Sequence, residues 1–403
     1  MSLFDRIEPL LPESRPLRVA WIAYVGHILG QGWIATSEIL LGVALIAAFI
    51  AWRRGDVRIP FHPIYVPLVI FVVASIASAA ASYRPLTSLR QANEFFPFLA
   101  FPLALILYTS VKGSARVAFT ALLALGAAQS AYGLLQYGFF GGDEIERRIA
   151  GTTAHVMTYS GILLPLSLLS IRVAGTRKLA AVTAALTSLA LLLTFTRGAW
   201  LGWLAGVFVL ALLWKPRVIA WIVPLLILAV TFAPLPVFAR LISSFDFRQT
   251  SVLDRIRMAQ GGIEMIRDHP ILGVGPSNVK ETYPLYRRPD APRFRIPHLH
   301  NNVLQLWAER GLLALAAYLM LQWEFLRAAL RRRRLEGTRG WAEGGIAAAC
   351  GLFVAGLFEY NFGDTEVLLN MLDVWALTLV ATGRGPEAEV ALEKGISPLG
   401  EPA

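Results

Sequence analysis

Long apolar stretches almost free of charge recur along the whole chain. Each is roughly 18 residues or more, the length that a helix needs to cross a hydrocarbon core of about 30 Å. The 403 residues are 56% apolar and only 16% charged, whereas soluble domains are about 45–50% apolar and about 25% charged. These features exclude a disordered chain, a coiled coil and a conventional cytosolic enzyme. They predict an all-α polytopic membrane protein embedded in a lipid bilayer.

The apolar runs predict about twelve transmembrane helices, with one large loop between spans 9 and 10. The predicted spans are 17–33, 36–52, 64–82, 92–110, 117–139, 155–171, 179–196, 198–214, 218–237, 302–326, 341–359 and 366–382. They divide the chain into an N-terminal bundle of about nine spans (1–237), the loop (238–300), a C-terminal bundle of about three spans (301–383) and a tail (384–403).

Lysine and arginine are distributed unevenly around these spans. If the N-terminus is cytoplasmic, twenty-one of them fall in inner segments and five in short outer connections. Cytoplasmic loops are enriched in these residues, so both termini are expected in the cytoplasm and the loop 238–300 in the periplasm. The N-terminus lacks the features of a cleaved signal peptide, and the first span is expected to serve as the signal. The net charge of +10 is then explained by topology, and no nucleic-acid partner is expected.

A hairpin is predicted between Lys178 and Lys215. The 36 residues between them carry one charge, Arg197, and they are too long for one span but suit two. Arg197 would then lie at the outer apex, where Gly198 would allow a tight turn. Gly202 and Gly206 would let the second helix pack closely on a neighbour. Arg197 either reaches lipid headgroups or binds a phosphate or diphosphate with its planar fork.

The loop 238–300 is basic, with ten lysines and arginines against six acidic residues. An amphipathic helix is predicted from Ser251 to Arg267, with Arg255 near its start. Its apolar stripe is expected to consist of Ile256, Ala259, Ile263 and Ile266. The helix either lies on the membrane with solvated arginines or uses Arg255 to clamp an anionic substrate.

Two histidines, His298 and His300, precede the span that begins near 302. Three interpretations remain: a metal-binding pair, a structural cap by His300, or a general base acting on a sugar hydroxyl. No acidic or thiol ligand lies nearby at a recognisable spacing. Glu359 opens a polar outer turn, 359–364, where structural pairing with arginines is at least as well supported as catalysis. The single cysteine, Cys350, allows no intramolecular disulfide.

Together these motifs resemble the O-antigen ligase and polymerase superfamily. The resemblance covers roughly residues 150–380 and rests on Arg197-Gly198, Arg255, the segment 268–275 (DHPILGVG), His300, Asn301 and Gly311. The ligase motif of this family is His, then Asn, Ser or Gln, nine residues, Gly, two residues, and Gly, Thr or Tyr. Here His300, Asn301 and Gly311 match, and Ala314 departs from the motif.

The resemblance implies a metal-independent membrane glycosyltransferase without a cofactor, in the bacterial inner membrane with its active site facing the periplasm. The donor would be a glycan on a polyprenyl diphosphate. The acceptor would be lipid A–core in an O-antigen ligase, or a growing glycan in a repeat-unit polymerase. By similarity, Arg197 and Arg255 would hold the diphosphate and His300 would be catalytic. Further candidates for donor or acceptor contacts are Asn301, Arg287 and Arg288.

An alternative from another class is a transporter or flippase of lipid-linked sugar. Such a protein is expected to have paired broken helices near the middle of the membrane and internal symmetry. This sequence instead has one asymmetric loop late in the chain, with its candidate functional residues at the outer face. The sequence therefore favours an enzyme.

Overall fold

The computed structural model describes residues 12–140, 148–176, 178–218, 250–335 and 338–380, and regular structure in these ranges is helical. The α-helices there are α1 Arg15–Leu29, α2 Ile34–Arg53, α3 Tyr65–Ala81, α4 Pro85–Arg90, α5 Ala100–Ser110, α6 Ser114–Phe140, α7 Val156–Val173, α8 Lys178–Leu193, α9 Arg197–Trp214, α10 Thr250–Asp268, α11 Val279–Tyr286, α12 Asn302–Arg332, α13 Arg339–Ala355 and α14 Thr365–Val380. The ninth predicted span (218–237), apart from its first residue, and the tail (384–403) lie outside the described residues.

Several of these helices are long and apolar enough to cross a membrane. Within the described ranges, six segments meet this criterion: Ile34–Arg53, Pro85–Ser110, Ser114–Phe139, Val156–Val173, Arg197–Trp214 and Asn302–Arg332. Tyr65–Ala81 and Lys178–Leu193 are shorter apolar helices. The prediction of an all-helical protein with membrane-length helices is therefore confirmed for the part of the chain that is described.

The predicted hairpin is formed by α8 and α9, but the prediction that Gly198 allows its tight turn was wrong. Phe195 adopts the left-handed conformation, with φ of 51°, while Gly198 lies in the first turn of α9. The Thr194 hydroxyl donates to the carbonyl of Leu191 at 2.7 Å, which helps to end α8. The Phe195 ring is fully buried, so packing stabilises a backbone conformation that glycine would adopt at lower cost.

Close packing by the glycines of α9 is confirmed. A Cβ atom at Gly202 would lie 2.4 Å from the carbonyl oxygen of Gly351, and one at Gly206 would lie 2.2 Å from Leu168 Cδ1. Small residues let helix backbones approach closely, so α9 lies directly against α7 and α13. This contact fixes the start of α9, where Arg197 lies, relative to the end of α13.

The helix that contains the predicted span 302–326, α12, is broken near its start. Gly311 has φ of 80° and ψ of 179°, which are not helical values. A Cβ atom at this position would lie 2.0 Å from the carbonyl oxygen of Ile271. Both the positive φ and the close backbone contact require glycine here.

The segment 270–277 fills the break in α12. The backbone N–H groups of Val274 and Gly275 donate to the carbonyls of Ala308 and Glu309 at 2.9 and 2.8 Å. Buried backbone groups released from a helix need such partners. The break therefore joins the membrane bundle to the loop that carries the candidate site.

The predicted apolar stripe of α10 was only partly correct. Ile266 is buried, but Ile256 and Ile263 are 40% and 41% exposed. Met258 and Met265 are instead fully buried, since the face of α10 that carries them packs against the rest of the loop and the first turns of α12. The small core beneath α10 also contains Val274, Val279, Tyr283, Ile296, Leu299 and Ala308.

The two ends of the bundle differ in chemistry. We call the end that contains the α8–α9 turn the site end. At the opposite end, the buried carboxylate of Glu343 accepts hydrogen bonds from Arg172, Arg333 and Arg339 at 2.6 to 2.9 Å. This arginine cluster ties α7, α12 and α13 together.

Candidate functional site

A cavity of about 240 Å³ lies at the site end, where α7, α9, α10 and α13 approach the loop before α12. Its apolar lining comes mainly from membrane helices and includes Met157, Leu164 and Ala355. Its charged lining comes from helix starts and connecting segments. The charged side chains and the histidine are Arg148, Arg197, Asp254, Arg255, Arg293, His300 and Glu359.

Both arginines predicted to bind diphosphate line this cavity. Arg197 is the first residue of α9, and its Nη2 donates to Ser251 Oγ at 3.2 Å. Arg255 lies in the second turn of α10, with its Nη2 atom 3.9 Å from Glu359 Oε2. The fold thus brings together two guanidinium groups that are 58 positions apart in the sequence, in a cavity suited to a multiply charged anion.

Two further arginines, which the sequence analysis did not identify as site residues, also line the cavity. Arg148 Nε donates to the carbonyl of Thr194 at 2.7 Å, and its Nη2 donates to Thr196 Oγ1 at 2.6 Å. These bonds brace the turn that holds Arg197. Arg293 forms an ion pair with Asp254, with Nε and Oδ2 2.9 Å apart. Neither arginine occurs in a local pattern that distinguishes it from the other basic residues of the outer segments.

His300 lies at the cavity in an unusual backbone conformation, with φ of 51°. A residue other than glycine in this region costs about 1–2 kcal/mol, and such strain is often found at functional sites. Its Nδ1 atom lies 2.8 and 3.0 Å from the two carboxylate oxygens of Glu359. A carboxylate accepts hydrogen bonds, so this contact favours the tautomer with the proton on Nδ1 and leaves Nε2 able to accept a proton.

Glu359 is the partner that the sequence did not assign to His300. Burial raises its pKa, but the hydrogen bond from His300 and the positive charges of His300 and Arg255 outweigh burial, so the pKa of Glu359 is lowered overall. The carboxylate is therefore ionised at neutral pH. Because α13 ends at Ala355, within the predicted span 341–359, Glu359 lies in the connecting turn and reaches the loop.

His298 packs against His300, with ring centroids 4.3 Å apart. Burial and the charge of His300 lower the pKa of His298 to about 4, although Glu359 opposes the shift. His298 is therefore neutral at pH 7. Its position 3.7 Å from Glu359 makes it part of the same cluster.

The same three residues could hold a metal ion. Ligand atoms of His298, His300 and Glu359 all lie within 4.8 Å of one another. Two imidazoles and a carboxylate are a donor set found in zinc enzymes. The carboxylate that the local sequence lacks comes from 59 positions after His300. The expected absence of a metal remains a prediction, which chelation would test.

Asn301, rather than His300, caps α12. Its Oδ1 accepts the N–H of Leu304 at 2.9 Å, and its Nδ2 donates to the carbonyl of Leu357 at 2.8 Å. Both the oxygen and the nitrogen of the Asn301 amide therefore already have partners, which leaves the side chain less available for the predicted substrate contact.

Arg287 and Arg288 are not among the residues that line the cavity. The guanidinium of Arg287 donates to the carbonyls of Pro289 and Ala291 and lies over the Phe294 ring. Arg288 is exposed. Their contacts with a glycan stay a prediction.

Comparison with known proteins supports the resemblance found in the sequence. Residues 182–319 match a family model described as O-antigen ligase. No match was found among curated proteins. The matched range contains Arg197, Arg255 and His300, whereas Arg148 and Glu359 lie outside it. Over residues 182–319, this chain is therefore similar to the O-antigen ligase superfamily.

Proposed function

We propose that this protein is a glycosyltransferase of the bacterial inner membrane, which transfers a glycan from a polyprenyl diphosphate to an acceptor hydroxyl at the periplasmic face. The observation that carries the proposal is the convergence of Arg197, Arg255 and the His300–Glu359 pair on one cavity at the end of an apolar bundle. The family match supports the reaction class, and the apolar helices suit a substrate with a lipid tail.

The arginines would act on the leaving group. When the acceptor oxygen attacks the anomeric carbon, the bond from that carbon to the diphosphate breaks and the diphosphate leaves with the bonding electron pair. Arg197 and Arg255 would stabilise the charge that develops on it, a contribution that is often the largest in enzyme catalysis. Arg148 would keep the turn before Arg197 in place. This role of the guanidinium groups supports a reaction that needs no metal.

His300 would act as the general base. Its Nε2 atom would take the proton of the acceptor hydroxyl as the new glycosidic bond forms. Glu359, bonded to Nδ1, would orient the ring and stabilise the imidazolium that results. Glu359 is thus a positioning residue, and His300 is the residue that contacts the reacting hydroxyl.

Ligation of O-antigen to lipid A–core is the specific reaction we propose, with polymerisation of O-antigen or exopolysaccharide repeat units as the alternative. The departure of Ala314 from the ligase motif weakens the choice of ligase over polymerase and is the reason why polymerisation is kept as the alternative. A transporter is expected to bind its substrate near the middle of the membrane, whereas Arg197, Arg255 and the His300–Glu359 pair line a cavity at one end of the bundle, so the position of the site favours transfer over transport.

The test is in vitro transfer from a polyprenyl diphosphate-linked glycan. His300→Ala should lower the rate by about 10²–10⁴-fold with donor binding largely kept, because the arginines remain. His298→Ala is the matched control and should cost far less. EDTA should leave the rate unchanged. Equal losses from both histidine variants, or loss of activity on chelation, would instead indicate a metal site at His298, His300 and Glu359.

The contributions of charge and of side-chain shape at Glu359 can be tested separately. Glu359→Gln keeps the shape but removes the charge that stabilises imidazolium, so kcat should fall by about tenfold or more while the donor KM changes little. Glu359→Asp, which keeps the charge, should recover part of the rate. If both variants alter KM and leave kcat unchanged, Glu359 contributes to binding and not to the base.

A further inference from the structure

Asp254 is a carboxylate in a cavity that otherwise suits an anion. Four arginines line this cavity, together with two carboxylates. Glu359 is explained by its hydrogen bond to His300. Asp254 has no such role in binding or releasing a diphosphate, and its negative charge would repel one.

The surroundings of Asp254 leave one oxygen unused. The residue is only 4% exposed, and Oδ2 forms the ion pair with Arg293. Among the described residues, Oδ1 is buried and has no hydrogen-bond partner. A buried carboxylate oxygen without a donor is unfavourable, so a bound ligand that donates a hydrogen bond there would remove this deficit.

A diphosphate cannot supply that donor, because its oxygens accept hydrogen bonds and carry negative charge. The sugar joined to the diphosphate can supply it through a hydroxyl or an amide N–H. Asp254 lines the same cavity as Arg255, which we have assigned to the diphosphate. The group that meets Oδ1 would therefore lie next to the phosphates, where the first sugar of the glycan is attached.

A role limited to holding Arg293 explains the geometry less well. That contact uses one carboxylate oxygen, and the Arg293 side chain is 55% exposed. An exposed arginine on a surface loop gains little from a single ion pair. The ion pair with Arg293 does not explain why Oδ1 of Asp254 is buried without a partner.

We propose that Asp254 recognises the first sugar of the lipid-linked donor, by accepting a hydrogen bond from one of its hydroxyl or amide groups at Oδ1. This inference rests on the proposed transferase function. It names Asp254 as a determinant of donor specificity, separate from the arginines that bind the diphosphate and from the base.

The experiment compares Asp254→Asn with Asp290→Asn. Asp290 is a matched control, because it also pairs with an arginine of the loop, Arg257, but does not line the cavity. For each protein, kcat/KM is measured with the lipid-linked donor, and inhibition is measured with inorganic pyrophosphate. Asp254→Asn should lower kcat/KM about 10- to 100-fold, while pyrophosphate should inhibit as well as before or better, since a repelling charge has been removed. Asp290→Asn should change neither value.

Synthetic short-chain polyprenyl diphosphate donors, each lacking one hydrogen-bond donor on the first sugar, complete the test. Wild-type protein should discriminate strongly against one of them, and Asp254→Asn should not discriminate against that same donor. If the variant discriminates as strongly as the wild type, or if pyrophosphate inhibition weakens in parallel with kcat/KM, Asp254 serves Arg293 and the proposal is wrong. If wild-type protein neither transfers glycan nor responds to pyrophosphate, the proposed function itself fails.

Discussion

At the scale of single residues, we propose that different side chains of the cavity supply positive charge and accept a proton. In the proposed mechanism, Arg197 and Arg255 supply fixed positive charge, while His300, oriented by Glu359, takes the proton of the acceptor. The arginines depend on geometry as much as on charge, because a guanidinium presents a planar fork to phosphate and an ammonium does not. This difference can be tested directly.

Arg197→Lys and Arg255→Lys should each keep the charge but lose the two-point contact. We expect transfer to fall at least tenfold in each variant at normal protein abundance, since one hydrogen bond to a charged group is worth about 1.5–3 kcal/mol. The control is Arg267→Lys, on the exposed side of α10 and paired with Glu264, which should transfer at the wild-type rate. Wild-type rates in both cavity variants would disprove the diphosphate contact, and a loss of abundance alone would indicate a structural role.

His298 should make the protein sensitive to acid. Its folded-state pKa is lowered from 6.5 to about 4, so between these values the unfolded chain binds a proton that the folded protein does not. Stability is therefore fully present above pH 6.5 and falls as the pH drops toward 4. Thermal unfolding in detergent should show this slope, and His298→Gln should flatten it. His269→Gln, at an exposed histidine of the same loop, should keep it; an unchanged slope in His298→Gln would exclude His298 as its source.

At the scale of elements, the break in α12 positions the site. Local hydropathy predicts one continuous span from 302 to 326, because apolar residues recur on both sides of Gly311. Hydropathy does not show that the backbone of residues 270–277 lies in the break of α12. The predicted apolar stripe of α10 was only partly correct for a related reason. Hydrophobic periodicity does not show which of two apolar faces of a helix packs against a neighbouring element.

Gly311→Ala tests the break. The new Cβ would overlap the carbonyl of Ile271 in a backbone conformation unfavourable for alanine, so we expect a loss of stability of about 2–4 kcal/mol. Gly42→Ala in α2 is the control. Its nearest described contact would be Phe96 Cζ at 3.9 Å, and alanine is a better helix former than glycine by about 1 kcal/mol. Thermal unfolding in detergent measures both variants; equal stability of Gly311→Ala and wild type would mean that the break is not fixed by the glycine.

At the scale of the whole molecule, the proposed function depends on which end of the bundle faces the periplasm. In the proposed reaction, the lipid-linked donor and the hydroxyl acceptor must meet on one side of the membrane. The arginine cluster around Glu343 lies at the opposite end from the cavity and suits the cytoplasmic side, where basic residues are enriched. The proposed orientation places the cavity outside.

Cysteine labelling tests this orientation. In a Cys350→Ala background, cysteines would be placed at Leu285, which is 82% exposed, and at the exposed Arg334. Arg334 is preferable to Arg333, which is bonded to Glu343. A membrane-impermeant maleimide should label position 285 in intact cells and position 334 only after permeabilisation. Labelling of both positions from the same side would contradict the predicted topology and the periplasmic site with it.

The sequence by itself determined the helical membrane class, the hairpin with Arg197 near its apex, and the position of His300 just before a span. These follow from local composition, because the thickness of the hydrocarbon core sets helix length and the rare charges mark helix ends. Only the tertiary structure decided that Glu359 meets His300, that Arg148 braces the α8–α9 turn, and that Asp254 lines the cavity. Those contacts join residues far apart in the chain, and they depend on how closely helices pack, which no local spacing records.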